Sequence, residues 1–150
     1  MVTTVGTESD LSDLVQDLVQ LDLAAIEAYN GAIERLSNVE YKAQLGRFRD
    51  DHIEHTRVLG EWLRSQGESV PESGGAKQML TTGKVALAGL IGDKQILTAM
   101  KTNEDDTNTA YERASNHEEA DGVRPIFQKN LGDERRHRAW LEATIAKLER

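Results

Sequence analysis

Glu134-x-x-His137 lies within Asn130-Leu-Gly-Asp-Glu-Arg-Arg-His-Arg-Ala-Trp-Leu141 and sets a carboxylate and an imidazole three residues apart. On a helix, three residues are about 300° of turn, so both side chains fall on neighbouring lines of one face. The apolar seam of that face reads Phe127, Leu131, then Glu134 and His137, then Leu141, Ile145 and Leu148. Steps of three and four mark an amphipathic helix whose core stripe contains two polar residues. Burying a carboxylate costs several kcal/mol unless a charge or hydrogen bond meets it, so partners are expected elsewhere in the chain.

Three earlier helices have the same peculiarity. The first, about 11–37, has the seam Leu11, Val15, Leu18, Asp22, Ala25, Tyr29, Ala32, Leu36, with Ser9 to Ser12 as capping residues. Asp22 lies in the stripe, whereas Glu27 and Glu34 point elsewhere. The second, about 39–65, reads Tyr41, Leu45, Phe48, His52, His55, Leu59, Leu63, with both histidines facing the core and Asp51 and Glu54 beside them. A third helix opens at Gly92-Asp93 and reads Leu97, Met100, Glu104, Thr107, Tyr111, Ala114. Pro125 suits the first turn of the fourth.

These seams repeat at an offset of 82 residues, the spacing from Asp22 to Glu104 and from His55 to His137. Tyr29 falls on Tyr111, Asp51 on Asp133, and His52 on Glu134. Two helix pairs related by a two-fold would bring Asp22, His52, His55, Glu104, Glu134 and His137 to one level. Oxygen and nitrogen donors of this kind suit iron, manganese or zinc. Cations would neutralise carboxylates that otherwise repel or protonate. Tyr29 and Tyr111 are expected to hydrogen-bond the ligands from outside, with a redox role as the alternative.

The elements that must carry these residues are helical by composition. The chain has 150 residues, about one domain, with only two prolines and few aromatics. It contains no cysteine, which excludes disulfides and thiolate ligands. The net charge of −8 argues against nucleic acid and against an anionic membrane surface. The start lacks the basic and apolar parts of a signal peptide, so a cytoplasmic protein is expected. Residues 1–10 are expected to be disordered, with one domain over 11–150. Gly67 to Gly75 is Gly/Pro/Ser-rich and reads as a loop. With a short amphipathic helix over about 76–90, it forms one long crossover able to run the length of a bundle. The expected fold is all-α, an antiparallel four-helix bundle.

A Glu on each of two helices plus Glu-x-x-His on each of the other two is the di-metal carboxylate pattern of ferritin-like bundles. On the residues around 22–29, 52–59, 104–111 and 134–141, the chain resembles the ferritin and rubrerythrin superfamily, and within it the small bacterial ferritin-like domains of unassigned function. Glu104, Glu134, His137 and His55 match the pattern, and Asp22 is a Glu shortened by one methylene. The resemblance implies two iron ions and oxidation of Fe(II) by oxygen or peroxide. His52 departs from it, standing where the family has a bridging Glu, which weakens carboxylate bridging. The alternatives are a metal-free helical scaffold or stress-related interaction protein with a polar core, and iron storage in an oligomer. Asp105, Asp106, Glu118 and Glu119 are expected on solvated faces. Trp62 and Trp140, near the central lines, are either packing residues or homodimer contacts.

Overall fold

The computed structural model describes residues 3–72 and 87–150. Four helices carry the described residues: α1 (Leu11–Arg35), α2 (Val39–Ser65), α3 (Asp93–Ser115) and α4 (Arg124–Leu148). The short helix expected over 76–90 lies mostly outside the described residues. Its last residues form a turn in which Leu90 N–H donates to Leu87 O, with Leu87 buried.

Each helix end has a chemical cause. Asp10 caps α1 by accepting from Asp13 N–H at 3.0 Å. Asn38 caps α2 by accepting from Glu40 and Tyr41 N–H. Gly67, at φ +74°, ends α2, where Glu68 N–H reaches back to Leu63 O at 2.9 Å. That closure needs a left-handed residue after the helix, which glycine supplies without a Cβ penalty. Pro125 sits in the first turn of α4, where a missing N–H costs nothing.

The helices pair as α1 with α2 and α3 with α4, and the two pairs face each other through α1 on α3 and α2 on α4. Every adjacent pair is antiparallel. Tyr29 of α1 reaches Glu104 of α3, while Asp22, two turns earlier, meets Tyr111. His55 of α2 meets Asp133 of α4, and His137 meets Asp51. Helices α2 and α3 therefore run the same way. The Asp93 carboxylate accepts from Ser37 and Asn38 N–H at 2.8 and 3.0 Å, tying the start of α3 to the α1–α2 turn. Leu14, Leu18, Leu45, Leu59, Leu97, Met100, Phe127 and Leu141 fill the core. Among the described residues, no helix is long and apolar enough to cross a membrane.

Residues 3–6 lie against α3. Val5 is buried, Arg113 Nη1 donates to Thr3 O and Val5 O, and Thr3 N–H donates to Asp106. Asp106, expected on a solvated face, is therefore only 2% exposed. Gly6 makes the docking possible. It adopts φ +102°, and a Cβ there would stand 2.5 Å from Arg113 Cβ and 3.1 Å from Ala110 O. Gly6→Ala should cost at least about 1–2 kcal/mol from left-handed strain alone. Denaturant titration together with amide exchange over residues 3–10 reads both effects. Wild-type stability with unchanged protection would show that the arm does not depend on this contact.

Candidate metal centre

Periodicity places the polar seam residues and antiparallel packing brings them together. Asp22, His52, His55, Glu104, Glu134 and His137 are all buried at one level of the bundle. They form two overlapping groups, Asp22/His52/His55/Glu134 and His52/Glu104/Glu134/His137. Within each group the ligand-capable atoms lie within 4.8 Å of one another. His52 and Glu134, which occupy equivalent places in the repeat, belong to both groups. The other four divide evenly, one carboxylate and one imidazole to each side.

His52 Nδ1 is 2.6 Å from Asp22 Oδ1, and its Nε2 faces Glu104 and Glu134 at 3.4 and 3.5 Å. His55 Nδ1 faces Asp22 at 3.1 Å and Glu134 at 3.4 Å. His137 Nδ1 faces Glu104 at 3.3 Å. Tyr29 donates its hydroxyl proton to Glu104, and Tyr111 donates to Asp22 at 2.5 Å. Each tyrosine thus stands beside the cluster and hydrogen-bonds the carboxylate of the opposite half. Thr107 adds a hydroxyl to Glu104 at 3.0 Å, and Asn130 Nδ2 donates to the Tyr111 oxygen. Asn108 Nδ2 donates to the main-chain carbonyls of Glu104 and Glu134, fixing α3 and α4 in register at the site.

Two carboxylates were not singled out as site residues in the sequence. Asp133 approaches His55 Nε2 at 2.9 Å, and Asp51 approaches His137 Nε2 at 2.7 Å. Each therefore holds the outer nitrogen of a histidine and turns the inner Nδ1 toward the cluster, an arrangement that fixes tautomer and ring orientation. Arg136 Nη2 lies 2.9 Å from Asp51 and 3.0 Å from Asp133, joining the two supports, and Lys129 adds a contact to Asp133. The signal was present in the repeat: an Asp precedes each of these histidines by four residues. It serves the histidine of the neighbouring helix rather than its own.

The electrostatics follow from this packing. Burial pushes the Asp22 carboxyl up, but the His55 charge and the hydrogen bonds from both histidines outweigh it and hold the group down to about 2. Glu104 is likewise held well below its ordinary range, as His137 and His52 overcome burial. Against burial, Glu134, Asp22 and Glu104 raise His52 well above 6.5, and Asp22 and Asp133 raise His55. Glu134 goes the other way: burial and the neighbouring Glu104 charge raise it well above 4.5. Its two oxygens have no hydrogen-bond partner, although they are fully buried. Burial and the adjacent carboxylates also raise both tyrosines.

A pH dependence follows for the metal-free protein. The contributions of His52 and His55 are complete below their ordinary 6.5 and are lost as pH rises through their raised values. Those of Asp22 and Glu104 are present above their ordinary 3.8 and 4.5 and are lost as pH falls, for Asp22 through about 2. Ionising Glu134 adds a penalty as pH climbs above 4.5. Chelator-treated protein should thus melt highest near pH 4.5 and soften toward alkaline pH, more steeply above 6.5. A divalent cation must displace protons from the same groups, so its stabilisation should grow with pH. Melting curves with and without cation should diverge as pH rises; parallel curves would contradict this charge assignment.

The chemistry of the donor set, three carboxylates and three imidazoles with no sulfur, fits a borderline divalent ion. Comparison with known proteins gives a fold and a family. A family profile described as "Domain of unknown function (DUF2383)" matches residues 10–118. That range includes Asp22, His52, His55 and Glu104, while Glu134 and His137 lie beyond its end. A conserved hypothetical protein, rv2844, from Mycobacterium tuberculosis has a crystal structure similar to this one. The two share 15% identity over 91% of each chain, with a TM-score of 0.75, a likeness of fold. No curated protein matches the sequence. With its family profile spanning α1, α2 and α3, the chain belongs to the DUF2383 family, whose function is unknown.

Proposed function

We propose that the buried cluster holds two divalent transition cations, iron before manganese or zinc, and that the protein is a ferritin-like metal-binding protein. Asp22 and His55 would serve one ion and Glu104 and His137 the other, with His52 and Glu134 between them. The observation that carries this reading is Glu134. This fully buried carboxyl stands in both ligand groups and makes no well-formed hydrogen bond, only long contacts of Oε1 to His55 and His52 at 3.4 and 3.5 Å, a deficit that a cation would make good. Bound iron would supply one-electron oxidation chemistry toward oxygen or peroxide, consistent with a place in iron or oxidative-stress handling. The chain's own residues do the positioning: Asp51 and Asp133 aim the histidines, the tyrosines steady Asp22 and Glu104, and the apolar walls exclude water. His52 in a carboxylate's place leaves one bridging acid fewer than the ferritin-like pattern has.

The second reading is a metal-free scaffold whose polar core sets helix register. The 2.6 Å contact of His52 with Asp22 and the tyrosine hydrogen bonds favour it, because they satisfy every other carboxylate of the cluster. Two measurements separate the readings. Untagged protein from iron-supplemented cells is assayed for metal, and Fe(II) is added anaerobically to chelator-treated protein before air is admitted. The metal reading expects bound transition metal and a ferric absorption band that Glu134→Ala/His137→Ala abolishes. Trace metal only, unchanged in that variant, selects the scaffold.

A further inference from the structure

The cluster and its two tyrosines repeat across the pseudo-two-fold, but the rings beyond Tyr29 do not. On one side, Phe48 stacks on His137 with ring centroids 4.2 Å apart. Phe48 also meets Tyr29 at 6.4 Å and Trp140 at 5.6 Å, and Trp140 meets Tyr41 at 5.8 Å. Tyr29 and Phe48 are buried, while Trp140 and Tyr41 are part-exposed and line a surface groove of ≈ 460 Å³ between α2 and α4. At the repeat-equivalent positions the other half has Val123 for Tyr41, Asn130 for Phe48 and Val58 for Trp140. Packing in that half is achieved without these rings. The line of aromatics is thus an addition to one side of a symmetrical site, and it ends at the surface.

We propose that Phe48, Trp140 and Tyr41 form a path for single electrons between the buried cluster and the α2–α4 groove, where an outer-sphere one-electron reagent exchanges with the protein. Trp140 and Tyr41 are the oxidisable stops, and Phe48 bridges from Trp140 to Tyr29 and His137. Carriage of an electron to or from a cation rests on the metal reading above. The path itself does not, since Tyr29 is an oxidisable inner terminus in the metal-free protein. When an oxidant at the groove takes one electron from Trp140, Tyr29 refills the indole through Phe48. The Tyr29 phenolic proton passes along its existing hydrogen bond to Glu104. The oxidant is reduced by one electron, Tyr29 becomes a neutral radical, and Glu104 becomes a carboxylic acid.

The chain has no cysteine, so Ala43→Cys on the rim of the groove gives a single attachment point for a ruthenium tris-bipyridyl photo-oxidant. Flash excitation of the labelled, chelator-treated protein, with ruthenium hexaammine as electron acceptor, generates the tethered Ru(III) oxidant. Transient absorption and freeze-quench EPR then follow the radicals. The expected result is a tyrosyl component that Tyr29→Phe removes and Tyr111→Phe leaves. Phe48→Leu and Trp140→Phe should each lose that component while keeping the Tyr41 signal. Trp140→Phe replaces a part-exposed ring by another ring, so it decides the matter if Phe48→Leu fails to fold. Absence of the Tyr29 component in the parent, or its survival in a folded variant of either residue, overturns the proposal. Since no metal is present, failure here is separate from failure of the metal reading.

Discussion

Glu134→Gln should leave the metal-free protein at least as stable as the parent and abolish its stabilisation by divalent cations. The carboxyl is fully buried, is raised well above its ordinary range by burial and the Glu104 charge, and makes no well-formed hydrogen bond, only long contacts to His52 and His55. A glutamine has the shape of the neutral acid, carries no charge to desolvate, and can donate from its amide toward Glu104. In the loaded protein the same change removes the one residue besides His52 that belongs to both ligand groups. A cation at one hundred times its dissociation constant stabilises a folded chain by about 2.7 kcal/mol. For a domain of this size that is roughly 5–10 °C in melting temperature, and the variant should show none of it. Thermal melts of parent and variant, with chelator and with Mn(II), Zn(II) or anaerobic Fe(II), make the comparison. A variant that melts well below the parent in chelator would show that Glu134 is a structural member of the core instead.

Asp22→Ala should have the opposite profile, destabilising the protein whether or not metal is present. Asp22 faces His52 at 2.6 Å and His55 at 3.1 Å and accepts the Tyr111 hydroxyl, all without solvent. Removing it strands two buried imidazoles whose charged forms it favours, and it orphans a phenol. Breaking a buried ion pair from one side costs about 3–5 kcal/mol. At about 2–4 °C per kcal/mol, that is a fall on the order of 10 °C. Glu27, exposed on the same helix, is the control: its change to Ala should stay within about 0.5 kcal/mol. Denaturant unfolding of chelator-treated protein near pH 6 should separate the two variants clearly. Equal, small losses for both would mean that the buried network contributes nothing net.

Much of the site could be read from spacing because helices convert spacing into geometry. Asp22, His52, His55, Glu104, Glu134 and His137 interrupt apolar seams in steps of three and four, and the 82-residue repeat matched them across the two halves. Once the helices pair, those interruptions must meet. Contacts that depend on side-chain reach were less legible. Asp51 lies off the α2 seam, yet it supports His137 because antiparallel α4 passes beside it. Periodicity on one helix does not report what a neighbour presents. The contacts of the N-terminal arm carry no such signal for a related reason. Val5 and Gly6 have no repeat to mark them, and their docking relies on Arg113, more than a hundred residues along the chain. Asp106 appeared to be a surface acid because the arm that covers it had no periodic signature.

On the proposed function, buried acids and imidazoles from four helices grip cations together. Crystals grown with Mn(II) or Zn(II), or with Fe(II) under anaerobic conditions, test it most directly through anomalous scattering. Anomalous peaks are expected inside the Asp22/His52/His55/Glu134 and His52/Glu104/Glu134/His137 groups, with the direct contact between His52 and Asp22 opened. Density without anomalous signal at that level, with His52 still 2.6 Å from Asp22, would contradict it.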